Sequence, residues 1–188
     1  MTDGDVLQIF RDTQALLNGH FLLRSGLHSR QYFQCALVLQ YPRHAETLCT
    51  VLAAKLRNAG AQLVISPAMG GLFIGHEVAR ALGLRHIFVE KDAAGKLELR
   101  RNFQIAPGEK VLVVEDVITK GGRVQETLAI VRAAGGEPVA VGTLVDRSQG
   151  AVNFGVRLES LLQLHIETFA AAACPLCREG SQPVKPGS

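Results

Sequence analysis

The sequence predicts an α/β fold: a parallel sheet core flanked by helices, with a small hood lobe built from the two ends of the chain. Three observations predict it. Strand-like and helix-like segments alternate from about residue 60 to 146, the pattern that builds parallel sheets through helical crossovers. The strand segments are continuously apolar, above all "KVLVVED" at 110–116, as strands covered on both faces are. The turns rich in glycine and proline fall where those strands end, which is where open α/β sheets bind ligands.

Taken in order, residues 44–59 carry Leu48, Val51, Leu52 and Leu56 on one helical stripe that Gly60 closes. "QLVISP" (62–67) reads as a short strand stopped by Pro67. "GLFIGHEVARAL" reads as a helix closed by Gly83, and "RHIFVE" as the next strand. After "KVLVVED" comes "RVQETLAIVRAAGG", a helix with Val124, Leu128 and Val131 on one face and glycines at its end. "PVAVGTLVD" is a further strand. The core is expected at about 44–150. Residues 1–43 and 151–188 stand outside the alternation and are assigned to the hood, with "REGSQPVKPGS" as an irregular tail.

Composition narrows the function classes. Of 188 residues, 47% are apolar and 20% charged, enough for a real core and too apolar for a disordered chain. A net charge of +3 without a Lys/Arg run, no Trp and 5% aromatics argue against nucleic-acid binding by charge or by stacking. No secretory or membrane-spanning segment is expected. Four cysteines in a chain of this size read as reduced thiols, so a cytoplasmic location is expected.

The most informative segment is "VLVVEDVITKGGRVQET" (111–127). A buried strand ends in two adjacent carboxylates, Glu115 and Asp116, and then turns through Thr119, Lys120, Gly121 and Gly122 into a helix. Neighbouring acids repel, so hydroxyl donors or a hydrated cation should face them. A glycine turn that opens a helix presents backbone N–H groups to an anion. One ligand with hydroxyls at one end and phosphate at the other accounts for both. This is not a Walker loop, because His76 and Glu77 stand where Lys and Ser/Thr are required, and no G-x-G-x-x-G follows a strand.

"VLVVEDVITKGG" resembles the phosphoribosyl-diphosphate signature of the type I phosphoribosyltransferases. Four further segments resemble orotate phosphoribosyltransferases in particular: "HFLLRSGLHSRQYFQC" (20–35), "SPAMGGLFIGHEVARALG", the lid-like "FVEKDAAGKLELRRNF" and the loop "VDRSQG". "CPLCREG…KPGS" resembles the C-terminus of a short bacterial branch of that family. The resemblance implies transfer of a 5-phosphoribosyl group from 5-phosphoribosyl 1-diphosphate to orotate in pyrimidine biosynthesis. Glu115, Asp116, Val117, Ile118, Thr119, Lys120, Gly121, Gly122 and Arg123 would take the donor. Thr119, Arg147 and Arg24 would take orotate, an arginine suiting a planar carboxylate. Asp116, Lys91 and Lys96 would serve the reacting centre. Mg2+ would be carried by the donor rather than held directly by protein. A symmetric dimer is implied, each lid closing over its neighbour's site.

Three departures from the family pattern stand out: Lys120 in place of the second Thr, Arg123 in place of Ser, and Gly70 where some members carry Lys. Taken alone, Arg147 is an ordinary loop arginine, and Tyr32 and Phe33 suit either a ligand face or the lobe core. Other readings are a transferase for another nucleobase, a phosphoribosyl-diphosphate-sensing regulator, or a redox or metal module on Cys174 and Cys177. The last pair, "CPLC", is half of a tetrahedral zinc site. Two buried thiols are the favoured expectation. Cys35, Cys49 and His165 are the partners considered for a metal.

Overall fold

The computed structural model describes residues 1–23 and 25–186. Its centre is a six-stranded sheet. The strands are β3 (Leu63–Pro67), β4 (Arg85–Lys91), β5 (Leu97–Leu99), β6 (Lys110–Ile118), β7 (Glu137–Asp146) and β8 (Arg157–Gln163), in the spatial order β5-β4-β3-β6-β7-β8. All neighbours are parallel except β4 and β5, which form an antiparallel hairpin. The parallel strands thus run second, first, third, fourth, fifth in chain order. The order reverses between β3 and β6, and the crevice beyond their carboxyl ends is the switch point at which such sheets bind ligands.

Period-two alternation explains why the central strands are apolar throughout. On β6, Leu112 and Val114 join the cluster beneath helices α3 (Pro42–Leu56) and α4 (Gly71–Leu82). Val111 and Val113 join the cluster beneath α5 (Gly122–Ala133). All four are inaccessible to solvent, and full burial of such side chains contributes roughly 1.5–3 kcal/mol each. Each helix predicted from 44 to 134 and each predicted strand is present, with bounds moved by a residue or two.

The ends of the chain divide differently from the expected 150/151 boundary. β8 lies in the C-terminal portion, yet it is the edge strand of the main sheet beside β7. Helix α1 (Asp3–Asp12) buries Val6 and Phe10 in the core, and so does α2 (Cys35–Leu39) with Val38. Thr2 caps α1: its hydroxyl accepts from the Asp5 N–H, and the Asp5 carboxylate accepts from the Thr2 N–H. The rest forms a separate small sheet in the order β1-β2-β9, from β1 (Leu16–Leu22), β2 (His28–Phe33) and β9 (Thr168–Phe169). Near the end of the chain lies α6 (Pro175–Arg178). Among the described residues, no helix is long and apolar enough to cross a membrane.

Candidate active site

The turn from β6 into α5 is built around Gly121. Its φ of 70° is left-handed, a conformation glycine adopts without Cβ strain. A Cβ there would also lie 2.8 Å from Cζ of Phe154, so backbone and packing both demand glycine. No side chain caps α5. Its first N–H groups therefore face outward, with the positive end of the helix dipole behind them. They border a cavity of about 420 Å³ lined by Glu115, Val117 to Val124 and Glu126.

Glu115 lines this cavity near the end of β6, whereas Asp116 lines neither cavity: its carboxylate lies on the other face of the strand, against Gly70. Glu115 is buried, and its carboxyl is pushed up to about 9, first by burial and then by the charge of Asp116. Burial raises Asp116 as well. The Asp116 carboxylate accepts from the Val117 N–H at 2.8 Å. A Cβ on Gly70 would come 3.0 Å from Asp116 Oδ1, so a larger residue there would have to displace the carboxylate by a few tenths of an ångström. A side chain at position 70 would crowd the acid.

A second cavity, of about 440 Å³, adjoins the first and shares Thr119 and Lys120 with it. Arg147, Ser148, Gln149, Ala151, Val152, Ile166 and Thr168 complete its lining. The backbone N–H of Arg147 donates to the carbonyl of Ile118 at 2.8 Å, which ties the arginine loop to the end of β6. The Arg147 Nε is buried and has no hydrogen-bond partner among the described residues. Burial lowers the basicity of this guanidinium, and the nearby Tyr32 hydroxyl partly opposes that. An unpartnered buried donor of this kind costs roughly 1–3 kcal/mol, and a planar anion would offset it.

The structure therefore brings Glu115, Thr119, Lys120, Gly121, Gly122, Arg123 and Arg147 to two adjoining cavities. Arg24 lies outside the described residues. Phe33 belongs to the core, edge-on to Phe10 at 4.7 Å. Lys91 and Lys96 are exposed on the β4–β5 hairpin, line neither cavity, and make no ion pair among the described residues. Three charges flanking the hairpin are paired: Arg101 Nε donates to Glu90 at 2.6 Å, and Arg100 lies 3.7 Å from the same carboxylate. Arg123, expected only as a cation beside phosphate, also holds this hairpin. It donates to Glu126 at 3.0 Å and to the Gly95 carbonyl at 3.3 Å, while Glu126 accepts from the Leu97 N–H. Sequence reasoning missed Val152, Ile166 and Thr168, which carry no local pattern and reach the cavity only through the fold.

A switch-point crevice, a bare helix N-terminus and paired buried acids define a binder of a phosphorylated sugar. Residues 40–154 match the phosphoribosyl transferase domain family. The chain is 54% identical over its whole length to the orotate phosphoribosyltransferase of Desulforamulus reducens, covering 98% of that protein. It is 48% identical to that of Acidithiobacillus ferrooxidans, with equal coverage. The crystal structure of orotate phosphoribosyltransferase from Aeropyrum pernix superposes with a TM-score of 0.71 at 27% identity, over 85% of this chain and 93% of that one. The chain belongs to the phosphoribosyltransferase family; by reaction it is a pentosyltransferase.

The Glu115 shift predicts a pH dependence. A carboxyl raised from 4.5 to about 9 keeps in the folded state a proton that the unfolded chain has released. Stability is then full below pH 4.5 and falls as pH rises towards 9. Between pH 5 and 9 the ligand-free protein should lose more melting temperature than its Glu115→Gln variant. Parallel curves would show that Glu115 ionises normally.

Proposed function

We propose that the protein is an orotate phosphoribosyltransferase. It would convert 5-phosphoribosyl 1-diphosphate and orotate to orotidine 5′-phosphate and diphosphate, in pyrimidine biosynthesis. The observation that carries the choice of base is Arg147: a residue lining the cavity beside the phosphate cradle whose Nε is buried and has no partner among the described residues. The full-length likeness to orotate phosphoribosyltransferases supports the same choice.

The 5-phosphate sits on the N–H groups of residues 119–123, where anion and helix dipole attract. Glu115 and Asp116 accept from the ribose hydroxyls. Asp116, and Glu115 once the bound donor and its cation have drawn off its proton, also favour positive charge developing on the ribose ring as diphosphate departs. Arg147 and Thr119 orient orotate so that its nitrogen faces the anomeric carbon. No protein nucleophile is required, because the base nitrogen displaces diphosphate directly. Two carboxylates suit a hydrated hard cation that takes its remaining ligands from substrate and water. Bound Mg2+ would neutralise the charge on diphosphate. The polar substrates and free thiols fit a cytoplasmic enzyme.

Lys91 and Lys96 contact diphosphate in this reading, and they do so across a symmetric dimer. Support comes from their position: they stand on a hairpin held by Arg123 and Glu126, and they point at neither cavity of their own chain.

Uracil lacks the carboxylate and leaves Arg147 unpaired, so its kcat/KM should fall at least ~100-fold below that of orotate. Arg147→Ala should raise the orotate KM about 10–100-fold, the loss of ~1.5–3 kcal/mol expected for a charge-assisted hydrogen bond, and leave the donor KM within about threefold. Comparable use of uracil, or an unchanged orotate KM, would refute the assigned base site. For the shared site, Arg147→Ala and Lys91→Ala chains are unfolded and refolded together. Random pairing makes half the dimers hybrid and leaves about a quarter of all sites intact. Activity should recover towards that fraction. No recovery from verified hybrids places Lys91 in its own subunit or outside the reaction.

A further inference from the structure

Cys174 and Cys177 find partners that the sequence did not suggest. Cys35 and Cys49 are buried elsewhere in the core. The two C-terminal thiols instead meet His20 of β1 and His28 of β2, and the four ligating atoms all lie within 4.8 Å of one another. His20 Nε2 is 3.6 Å from Cys174 Sγ, 3.8 Å from Cys177 Sγ and 2.9 Å from His28 Nδ1. Cys177 Sγ is 3.3 Å from His28 Nδ1. Zinc at ~2.0–2.1 Å from nitrogen and ~2.3 Å from sulfur sets tetrahedral edges of about 3.3 Å for N–N, 3.6 Å for N–S and 3.8 Å for S–S. The four edges given above reach those values with shifts of a few tenths of an ångström, and the two remaining edges, from Cys174 to Cys177 and to His28, are at most 4.8 Å and close with a shift of about an ångström or less.

The hydrogen-bond alternative leaves the arrangement unexplained. His20 Nδ1 lies 3.1 Å from the Ser181 carbonyl, which can only accept, and 3.2 Å from the Ser181 hydroxyl, which can accept or donate; a proton on Nδ1 suits both and leaves Nε2 a bare lone pair. That lone pair faces three groups at once. A carbonyl on the outer nitrogen is also how zinc-bound histidines are oriented. The backbone is arranged to suit. The β1–β2 pairing shifts register between Asn18 and Phe21, at the stretch that carries His20, and such irregularities re-aim side chains. The C-terminal strand crosses alongside: Val184 N–H donates to the His20 carbonyl, and Leu22 N–H donates to that of Val184.

We propose that His20, His28, Cys174 and Cys177 form a closed structural zinc site that clamps the C-terminal segment to the β1–β2 hairpin. Four protein ligands leave no open position for catalysis, and none of the four lines either active-site cavity. The site joins segments 154 residues apart. Helix α6, of four residues, is too short to hold itself, so the metal supplies the order that packing there does not.

The full-length protein, purified under reducing conditions, should carry close to one zinc per chain by elemental analysis. Replacing zinc with cobalt should give the intense visible absorption of tetrahedral cobalt and a sulfur-to-metal charge-transfer band. Chelation should lower the melting temperature by roughly 5–15 °C, which added Zn2+ restores. Cys177→Ser and His28→Gln should lose the cobalt spectrum. If they fail to fold, the chelated wild-type protein carries the test. Titrated with Zn2+ alone, it should take up one equivalent and shield two thiols from a thiol reagent. A zinc-free protein that takes up none, or a Cys174–Cys177 disulfide that forms despite reductant, would overturn the proposal.

Discussion

The hydrogen bond from the Arg147 N–H to the Ile118 carbonyl joins the two halves of the site, and most of the chemistry depends on where it holds them. It sets the arginine loop against the end of β6, at the residue before Thr119. The two cavities therefore share Thr119 and Lys120. Fixing both on central strands of the sheet, β6 and β7, gives the precision that a pair of free loops would lack. The cost is local. A like-charged pair and a guanidinium are held partly out of water, each unfavourable unless complemented. Such unsatisfied groups in an otherwise consistent fold mark a functional site, and their signs specify the ligand: hydroxyls or a cation for the acids, an anion for the arginine.

The two departures from the family signature take different places. Lys120 is exposed between the two cavities, where a flexible cation can approach either a phosphate or a carboxylate. Arg123 is committed to Glu126 and the Gly95 carbonyl. A serine there could make neither contact at that reach. The same carboxylate, Glu126, accepts from Leu97. The first turn of α5 thus borders the cavity on one side and holds the β4–β5 hairpin on the other. Exposed pairs of this kind are worth little each.

How much was legible follows from which signals are local. The β6–α5 turn carries its own signal: an apolar run, two acids, a glycine turn and a helical stripe are consecutive. The helices from 44 to 134 were legible because their apolar positions are periodic, and the parallel strands because they are continuously apolar; β5, three residues within a charged stretch, was not. β8, "RLESLLQ", was not, since three of its seven positions are only partly buried and two are exposed, and its place is set by pairing with β7. Arg147 was legible as a site residue only through resemblance; its buried, unpaired Nε is a property of the fold. Ile166 and Thr168 join the base cavity from a stretch with no pattern. His20 and His28 were hidden for another reason. They are eight residues apart, and only a hairpin with a shifted register turns both to one side, towards cysteines at the opposite end of the chain.

The central claim is that one ligand spans the two cavities, phosphate on the α5 N-terminus and carboxylate on Arg147. Titrating orotidine 5′-phosphate into 15N-labelled protein tests it directly, with the amide N–H signals of residues 119–123 and the side-chain Nε–H of Arg147 followed together. The account predicts that both sets shift and saturate at the same ligand concentration. Saturation of the residue 119–123 amides with the Arg147 Nε–H unmoved would contradict it.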